Sequence, residues 1–180
     1  MEVPILNDEE LTLNLNGIYF IEDSKKEFPT GFMFLYKDGS IYISNIGGSE
    51  IDSLFWSNPL KYLTFLESKW PSMTKTTRNF WGYYKIRNDS IYIQHFRLND
   101  QYWMKRNTIE LLGIIKDENT ILISKEICKW CHVVSSKYDE SGINDYTPPT
   151  EYKYFPSEFK PDSTEAWFKS QSWYKKENRK

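Results

Sequence analysis

A segment with the same residue pattern occurs three times along the chain. This repeat constrains the fold more than any other feature of the sequence. Residues 34–44 read FLYKDGSIYIS, residues 83–94 read YYKIRNDSIYIQ, and residues 112–124 read LGIIKDENTILIS. Each copy is an apolar run, a polar turn rich in Asp or Asn, and a run of β-branched and aromatic residues, which is the sequence form of a β-hairpin. Three hairpins predict a mainly β fold, an antiparallel meander closed into a barrel or strongly curved sheet, because open edges must be paired or covered.

Length and composition narrow the class of protein. The chain has 180 residues, and we expect one domain over residues 1–180. Aromatic residues make up 17% of the chain, which is typical of sheets and of ligand cavities. The formal net charge is −2 and the charges are scattered, which argues against a nucleic-acid groove. No stretch approaches the roughly 20 apolar residues of a membrane-spanning helix.

Two segments depart from the β pattern. Between about residues 50 and 69 apolar residues recur at helical spacing, divided by Pro59, which predicts a helical insertion. Near the end of the chain Asp162 is followed three positions later by Glu165, a helix-start signature. We therefore expect a C-terminal helix over about residues 163–176. The first strand is expected over residues 11–22, and a loop is expected over residues 137–150.

The turns predict which side chains face inward. In the second hairpin a two-residue turn at residues 88–89 places Tyr84 opposite Ile93. The same register places Gly82 opposite His95, where the glycine would leave room against the wall. A two-residue turn at residues 38–39 would likewise turn these residues of the first hairpin inward: Phe32, Phe34, Tyr36, Ile41 and Ile43. The outward face of the second hairpin is expected to carry Trp81, Tyr83, Tyr92 and Phe96.

No residue constellation supports catalysis. The chain has two histidines, no Gly-x-Ser-x-Gly element and no carboxylate pair placed for acid–base work. The acidic residues of the hairpins lie in turns, where they cap the backbone. An inward His95 is expected either to line a pocket or to be a hydrogen-bonded core residue.

The segment 128–132, which reads CKWCH, has the form of a c-type haem attachment site. In that chemistry Cys128 and Cys131 form thioethers and His132 ligates the iron. The alternatives are a disulfide or redox pair, half of a metal site, and two ordinary thiols. We expect no cofactor, with haem c as the alternative, and we assign no other metal.

Residues 14–19, which read NLNGIY, resemble the Gly-x-Trp signature that opens the lipocalins and the wider calycin group, with Tyr19 in place of Trp. The hairpin meander and the terminal helix are similar to that layout. The overall pattern resembles the lipocalin-like envelope proteins of Bacteroidetes, which are often lipid-anchored. The resemblance implies a closed barrel that holds a small apolar molecule or lipid, with a lipid anchor on the full-length precursor.

Residues 1–10 are acidic and contain no signal-peptide core. A chain from which an export signal has been removed would look the same. The compartment therefore stays open, and the cell envelope or periplasm is favoured if such a signal was removed.

Three hypotheses follow for function. The first is non-catalytic binding of a small apolar ligand inside the barrel, with a lining of Phe34, Tyr36, Tyr84, Ile93 and His95 and a lid of Trp56 and Trp70. The second is an interaction or structural protein of the cell envelope, whose barrel is filled by side chains and whose working surface is the exposed aromatic face of the second hairpin. The third is a haem or thiol-redox protein that uses the segment 128–132.

Overall fold

A computed structural model describes residues 13–21, 31–45, 64, 67–68, 81–98, 106–128 and 139–170. The described strands, β1 to β8 in chain order, are Gly17–Ile21, Gly31–Leu35, Ser40–Asn45, Trp81–Arg87, Ser90–Leu98, Arg106–Asp117, Thr120–Ile127 and Ile143–Pro156. Each strand pairs antiparallel with the next, and β8 pairs with β1, so the sheet closes into a barrel. The predicted antiparallel barrel is thereby confirmed.

The two ends of the barrel differ. One end, the closed end, carries the three short hairpin turns at residues 36–39, 88–89 and 118–119. The chain before β1 also lies here: Leu13 and Leu15 belong to the apolar core, and Asn14 N donates to the carbonyl of Glu118 at 3.0 Å. The expected first strand therefore begins only at Gly17. The strands' other ends, to which the four longer connections attach, form the connection end.

The barrel interior is mainly aliphatic, with tyrosines among the aliphatic side chains. All eight strands contribute to one apolar cluster, because alternate residues of each strand point to the same face. Its central members are Tyr19, Met33, Leu35, Ile41, Ile43, Tyr84, Ile91, Ile93, Leu111, Ile121, Ile123 and Tyr152. Removing this much apolar surface from water is the main stabilising contribution to the fold.

The first hairpin has a register that differs by one residue from the predicted one. Its loop holds three residues, since Tyr36 N donates to the carbonyl of Ser40 and Gly39 adopts a φ of 77°. Leu35 consequently pairs with Ile41 in the interior, while Phe34 pairs with Tyr42 on the outer face. The prediction that Phe32, Phe34 and Tyr36 point inward was wrong, because a one-residue slip exchanges the two faces of a strand.

An aromatic layer covers the outside of β1 to β4. Its rings lie 5.2–6.5 Å apart between centroids and are buried: Phe20, Phe32, Phe34, Tyr36, Tyr42 and Trp81. The C-terminal segment packs on this layer, with the ring of Phe159 6.2 Å from that of Phe34. Farther along, the ring of Phe168 lies 6.1 Å from that of Phe96 on β5. The barrel thus has an apolar layer on each side of its wall.

The C-terminal segment contains short helical turns, the first of which is capped by a side chain. Asp162 accepts a hydrogen bond from Thr164 N at 2.8 Å, so it caps the segment at the point where the C-terminal helix was predicted to start. The structure that follows is two 3₁₀ turns, Ser163–Glu165 and Trp167–Ser170, rather than a continuous α-helix over this range, and residues 171–176 lie outside the described residues.

Of the predicted insertion at 50–69, the described residues are Thr64, Glu67 and Ser68, which are helical; the rest lies outside them.

Candidate functional site at the connection end of the barrel

A β-bulge in β7 redirects the side chain of Glu126 into the barrel. Gly113 of β6 pairs with Ile123, but its neighbour Leu112 pairs with Lys125, so Ser124 is an extra residue. Strict alternation from Ile121 and Ile123 would have placed Lys125 inside. Instead Glu126, directly opposite inward-facing Leu111, points into the barrel and is 6% exposed.

The neighbouring strand β8 is irregular at the same level. Ile123 pairs with Thr150 and Lys125 with Asp145, so residues 146–149 have no paired positions on β7. This stretch contains Pro148 and Pro149, which lack the N–H that a regular ladder needs. The expected loop over 137–150 is therefore β8 from Ile143 onward, interrupted where the prolines lie.

The irregularity brings Tyr146 to Glu126. The Tyr146 hydroxyl donates a hydrogen bond to Glu126 Oε2, and the Tyr146 ring packs against the interior cluster. A carboxylate removed from water costs several kcal/mol unless hydrogen bonds or opposite charge compensate it. The Tyr146 hydroxyl supplies part of that compensation.

The charge of Glu126 acts on the interior of the barrel. The pKa of Tyr152 is raised, first because the phenol is buried and second because the negative charge of Glu126 opposes ionisation. Tyr152 is a member of the inner cluster. Glu126 is therefore close enough to Tyr152 to affect the ionisation of the phenol.

The second hairpin has the predicted register. Tyr84 pairs with Ile93, and Gly82 pairs with His95. Tyr84 and Ile93 are fully buried inside the barrel, and the Tyr84 hydroxyl donates to the carbonyl of Tyr36 at 2.8 Å, toward the closed end. His95 is half-buried and pairs with Ile109 nearer the connection end. These three residues lie where the sequence placed them.

Gly82 does not leave room for a ligand. A Cβ at this position would lie 2.1 Å from the carbonyl oxygen of Gln94 and 2.6 Å from the Cα of His95. The space is taken by the backbone of β5, so the glycine permits close approach of two strands.

The other predicted lining and lid residues are not brought to this site. Phe34 and Tyr36 lie on the outer face, against the C-terminal segment. Trp56 and Trp70 lie outside the described residues. The sequence reasoning had missed Glu126 and Tyr146, because only the bulge at Ser124 turns the carboxylate inward, and no residue type marks a bulge in this stretch.

The exposed aromatic surface predicted for the second hairpin is not exposed. Trp81 is 3% exposed and Tyr83 is 8% exposed, while Tyr92 and Phe96 are half-buried. The Tyr83 hydroxyl donates to Gln94 Oε1, and Gln94 Nε2 donates to Glu110 Oε1 at 3.1 Å. This outer face is therefore an internally bonded layer, and its description as an open working surface was wrong.

Cys128 lies at the end of the bulged strand and faces the interior. It is 1% exposed and is joined in a disulfide, and its N–H donates to the carbonyl of Gly142 at 2.7 Å. The chain's other cysteine, Cys131, and the neighbouring His132 lie outside the described residues. A sulfur that is bonded in a disulfide cannot also form a thioether to haem. Haem attachment therefore stays a prediction, and it is tested by determining which covalent bond the Cys128 sulfur forms in the native protein. Within the described ranges no group of three His, Cys, Asp or Glu residues could hold a metal ion.

Comparison with known protein families, with curated proteins and with solved structures finds no match. Among the described residues no helix is long and apolar enough to cross a membrane.

Proposed function

We propose that the barrel binds a small, largely apolar molecule in the half of its interior that lies toward the connection end. The observation that carries the proposal is the difference between the two halves. Toward the closed end the interior is filled by fully buried side chains, with Tyr19 and Tyr84 at 0% exposure. Toward the connection end it is lined by smaller aliphatic residues and by the half-buried side chains of His95 and Tyr146.

The size of the barrel is consistent with one small ligand. Eight strands enclose an interior that is just wide enough either to be filled by side chains or to hold one small molecule. The large residues of the closed half form a floor, which includes the predicted lining residues Tyr84 and Ile93. The proposed walls are Ile43, His95, Ile109, Leu111, Glu126 and Tyr146.

Adjacent residues of β6 provide a matched test. Leu111 is 5% exposed and faces the interior, whereas Leu112 is half-buried and faces outward. We expect Leu111→Trp to weaken binding of the neutral apolar dye N-phenyl-1-naphthylamine by about tenfold or more, because the indole would occupy the proposed site. Leu112→Trp is the control and should bind the dye as the unaltered protein does.

The readout is dye fluorescence titrated with protein, with near-ultraviolet circular dichroism to verify that each variant is folded. If Leu111→Trp is not folded, Leu111→Phe serves as the smaller step. Absence of dye binding by the unaltered protein, or equal binding by both tryptophan variants, would overturn the proposal.

The location and the natural ligand rest on the resemblance alone. We propose a small envelope lipid as the ligand class and a lipid-anchored, non-catalytic envelope protein as the setting. Fractionation of the native host tests the setting: the protein is expected with envelope membranes, and recovery in the cytoplasmic fraction would contradict it.

A further inference from the structure

We propose that the outer face of β6 is an interface between two copies of this chain. This interface lies on the outside of the barrel and is independent of what the interior binds. Along β6 the interior residues alternate with outward-facing ones, which are Glu110, Leu112, Ile114 and Lys116. The outward row therefore reads acidic, apolar, apolar, basic.

The two apolar residues of this row belong to a contiguous apolar patch. Ile114 is 51% exposed and is the one exposed large hydrophobic residue in the part of the chain that the structure describes. It pairs with Leu122 on β7, while Leu112 pairs with Tyr92 on β5, and these three neighbours are half-buried. One exposed isoleucine is ordinary, but apolar neighbours on three adjacent strands form a surface that a second molecule would remove from water.

The two ends of the row carry opposite charge. Glu110 accepts a hydrogen bond from Gln94 Nε2 at 3.1 Å and another from the Tyr92 hydroxyl. Both of these donors are neutral, so they do not cancel the negative charge, and a carboxylate has two oxygens that accept several hydrogen bonds. Lys116 is exposed near the closed end. The apolar patch thus has an acid on one side and a base on the other.

A two-fold axis that crosses β6 at Gly113 makes the row complementary to itself. Around such an axis the two β6 strands run antiparallel, face to face, and residues equally far from Gly113 meet. Leu112 of each copy then packs against Ile114 of the other. Glu110 of each copy meets Lys116 of the other, since both lie three positions, about 10 Å, from Gly113. Apolar residues meet apolar ones, and acid meets base.

The charges select both the occupant of the patch and the direction of the axis. A two-fold axis along β6 would instead bring Glu110 against Glu110 and Lys116 against Lys116, and like charges that face each other disfavour association. An uncharged apolar surface would cover the patch but would pair with neither charged residue. A second copy, related by the axis across β6, pairs with all four residues of the row.

The curvature of the barrel limits the strength of the dimer. Because eight strands close the wall, a face-to-face contact reaches only about three of them, β5 to β7. Such a contact is expected to bury less than the roughly 1,200 Å² of the smallest stable interfaces. We therefore expect a weak, reversible dimer with a Kd on the order of 100 µM.

Sedimentation equilibrium of the full chain over about 5–500 µM measures this association. Ile114→Lys places a charge in the patch and should weaken the dimer by about tenfold or more. Glu110→Lys and Lys116→Glu each bring like charges together at both contacts, and each should weaken it by about tenfold or more. The control Lys37→Glu makes the same reversal in the exposed turn of the first hairpin and should associate as the unaltered chain does.

An equimolar mixture of Glu110→Lys and Lys116→Glu tests the axis itself. In a dimer of either variant alone like charges meet at both contacts, whereas in the mixed dimer opposite charges meet at both. The mixture should therefore associate at least as tightly as the unaltered chain. The two positions are about 20 Å apart on one strand, so this recovery requires contact between copies.

Three results would overturn the proposal. The first is an unaltered chain that stays monomeric over the whole range, which would mean that a different occupant or none covers the patch. The second is a dimer that Ile114→Lys leaves intact, because another surface would then be responsible. The third is association that the mixture does not restore, which would contradict the assigned axis.

Near-ultraviolet circular dichroism verifies that each variant is folded. If Glu110→Lys is not folded, Glu110→Gln takes its place, since it keeps the shape of the side chain and removes only the charge. A mixture of Glu110→Gln with Lys116→Glu should then associate more tightly than Lys116→Glu alone, because one pair of opposite charges is regained. Equal association of the two samples would overturn the proposal.

Discussion

Lys160 shows how one side chain can join distant parts of the chain at the closed end. Its Nζ donates to the carbonyls of Leu15 and Leu35, each at 2.5 Å, and lies 4.4 Å from the centroid of the Tyr36 ring. Burial lowers the pKa of Lys160 to about 8, which leaves the ammonium protonated at neutral pH. Its hydrogen-bond partners lie 145 and 125 positions away, so no local pattern could have distinguished it from the chain's other basic residues.

Asp38 joins the first hairpin turn to the C-terminal segment. It accepts hydrogen bonds from Ser40 N at 2.9 Å, from Ser163 Oγ at 3.0 Å and from Lys169 Nζ at 2.5 Å. Burial alone raises the pKa of Asp38, but the hydrogen bonds from Lys169 and Ser40 outweigh burial and hold the pKa below its ordinary value. Folding therefore favours the ionised carboxylate.

This shift predicts the direction in which stability depends on pH. The unfolded chain binds the Asp38 proton first, at a pKa of about 3.9, so the stabilisation is fully present above about pH 5. It is lost as the pH falls through the lower pKa of the folded state. We expect Asp38→Asn to cost about 1 kcal/mol of unfolding free energy at pH 6, because the pair with Lys169 is partly exposed. Near pH 3 the difference should shrink.

Urea unfolding at pH 6 and at pH 3 measures both values. Asp89→Asn, in the exposed turn of the second hairpin, is the matched control and should change stability by less than about 0.5 kcal/mol at either pH. If the loss of unfolding free energy in Asp38→Asn became larger toward acid pH, the lowered pKa assigned to Asp38 in the folded state would be wrong.

At the scale of the elements, the number of residues in each turn decided how much could be predicted. The loop at residues 88–89 is a two-residue turn, and the whole register of β4 and β5 followed from it. In the first hairpin Gly39, with its positive φ, is the last residue of a three-residue loop. An Asp-Gly pair occurs in two-residue and in three-residue loops, so the pair alone does not determine the loop length. The bulge at Ser124 and the interruption of β8 depend on pairing between strands, which a single strand's alternation does not encode.

The close pairing of β4 with β5 also predicts that any side chain at residue 82 lowers the free energy of unfolding. The Cβ of Gly82→Ala would lie 2.1 Å from the carbonyl oxygen of Gln94, and backbone must move to relieve this contact. We expect a loss of about 1–3 kcal/mol of unfolding free energy, measured by urea unfolding. Ser90→Ala, at an exposed position of the same hairpin, should lose less than about 0.5 kcal/mol. Equal stability of the two variants would show that the strands can separate freely here.

At the scale of the whole molecule, the barrel wall separates two apolar layers with different roles. The outer aromatic layer is covered in part by the C-terminal segment and contributes to stability. The inner layer is packed at the closed end and includes Glu126 and Tyr146 toward the connection end. We therefore expect changes on the outer layer to alter folding alone, and changes near Glu126 to alter binding as well as stability, because Glu126 and Leu111 are buried.

The oxidation state of Cys128 decides between two classes of function for the whole molecule. Cys128 is buried and disulfide-bonded, at the point where β7 leads into the connection to β8. We expect protein purified without reductant from its native host to have an intact mass lower by two hydrogen atoms than the reduced protein. Under denaturing conditions it should show no visible absorbance band. A Cys128→Ser variant, which cannot form this disulfide, should show no mass change on reduction.

Each outcome of that measurement has a separate consequence. A disulfide would indicate an oxidising compartment and so support the proposed envelope location. Reduced thiols in the native protein would contradict the disulfide and remove that support. A covalent haem would persist through denaturation, add its own mass and absorb visible light. That result would replace ligand binding by haem chemistry as the function of the barrel, because Cys128 would then hold the cofactor at the end where the ligand is proposed to bind.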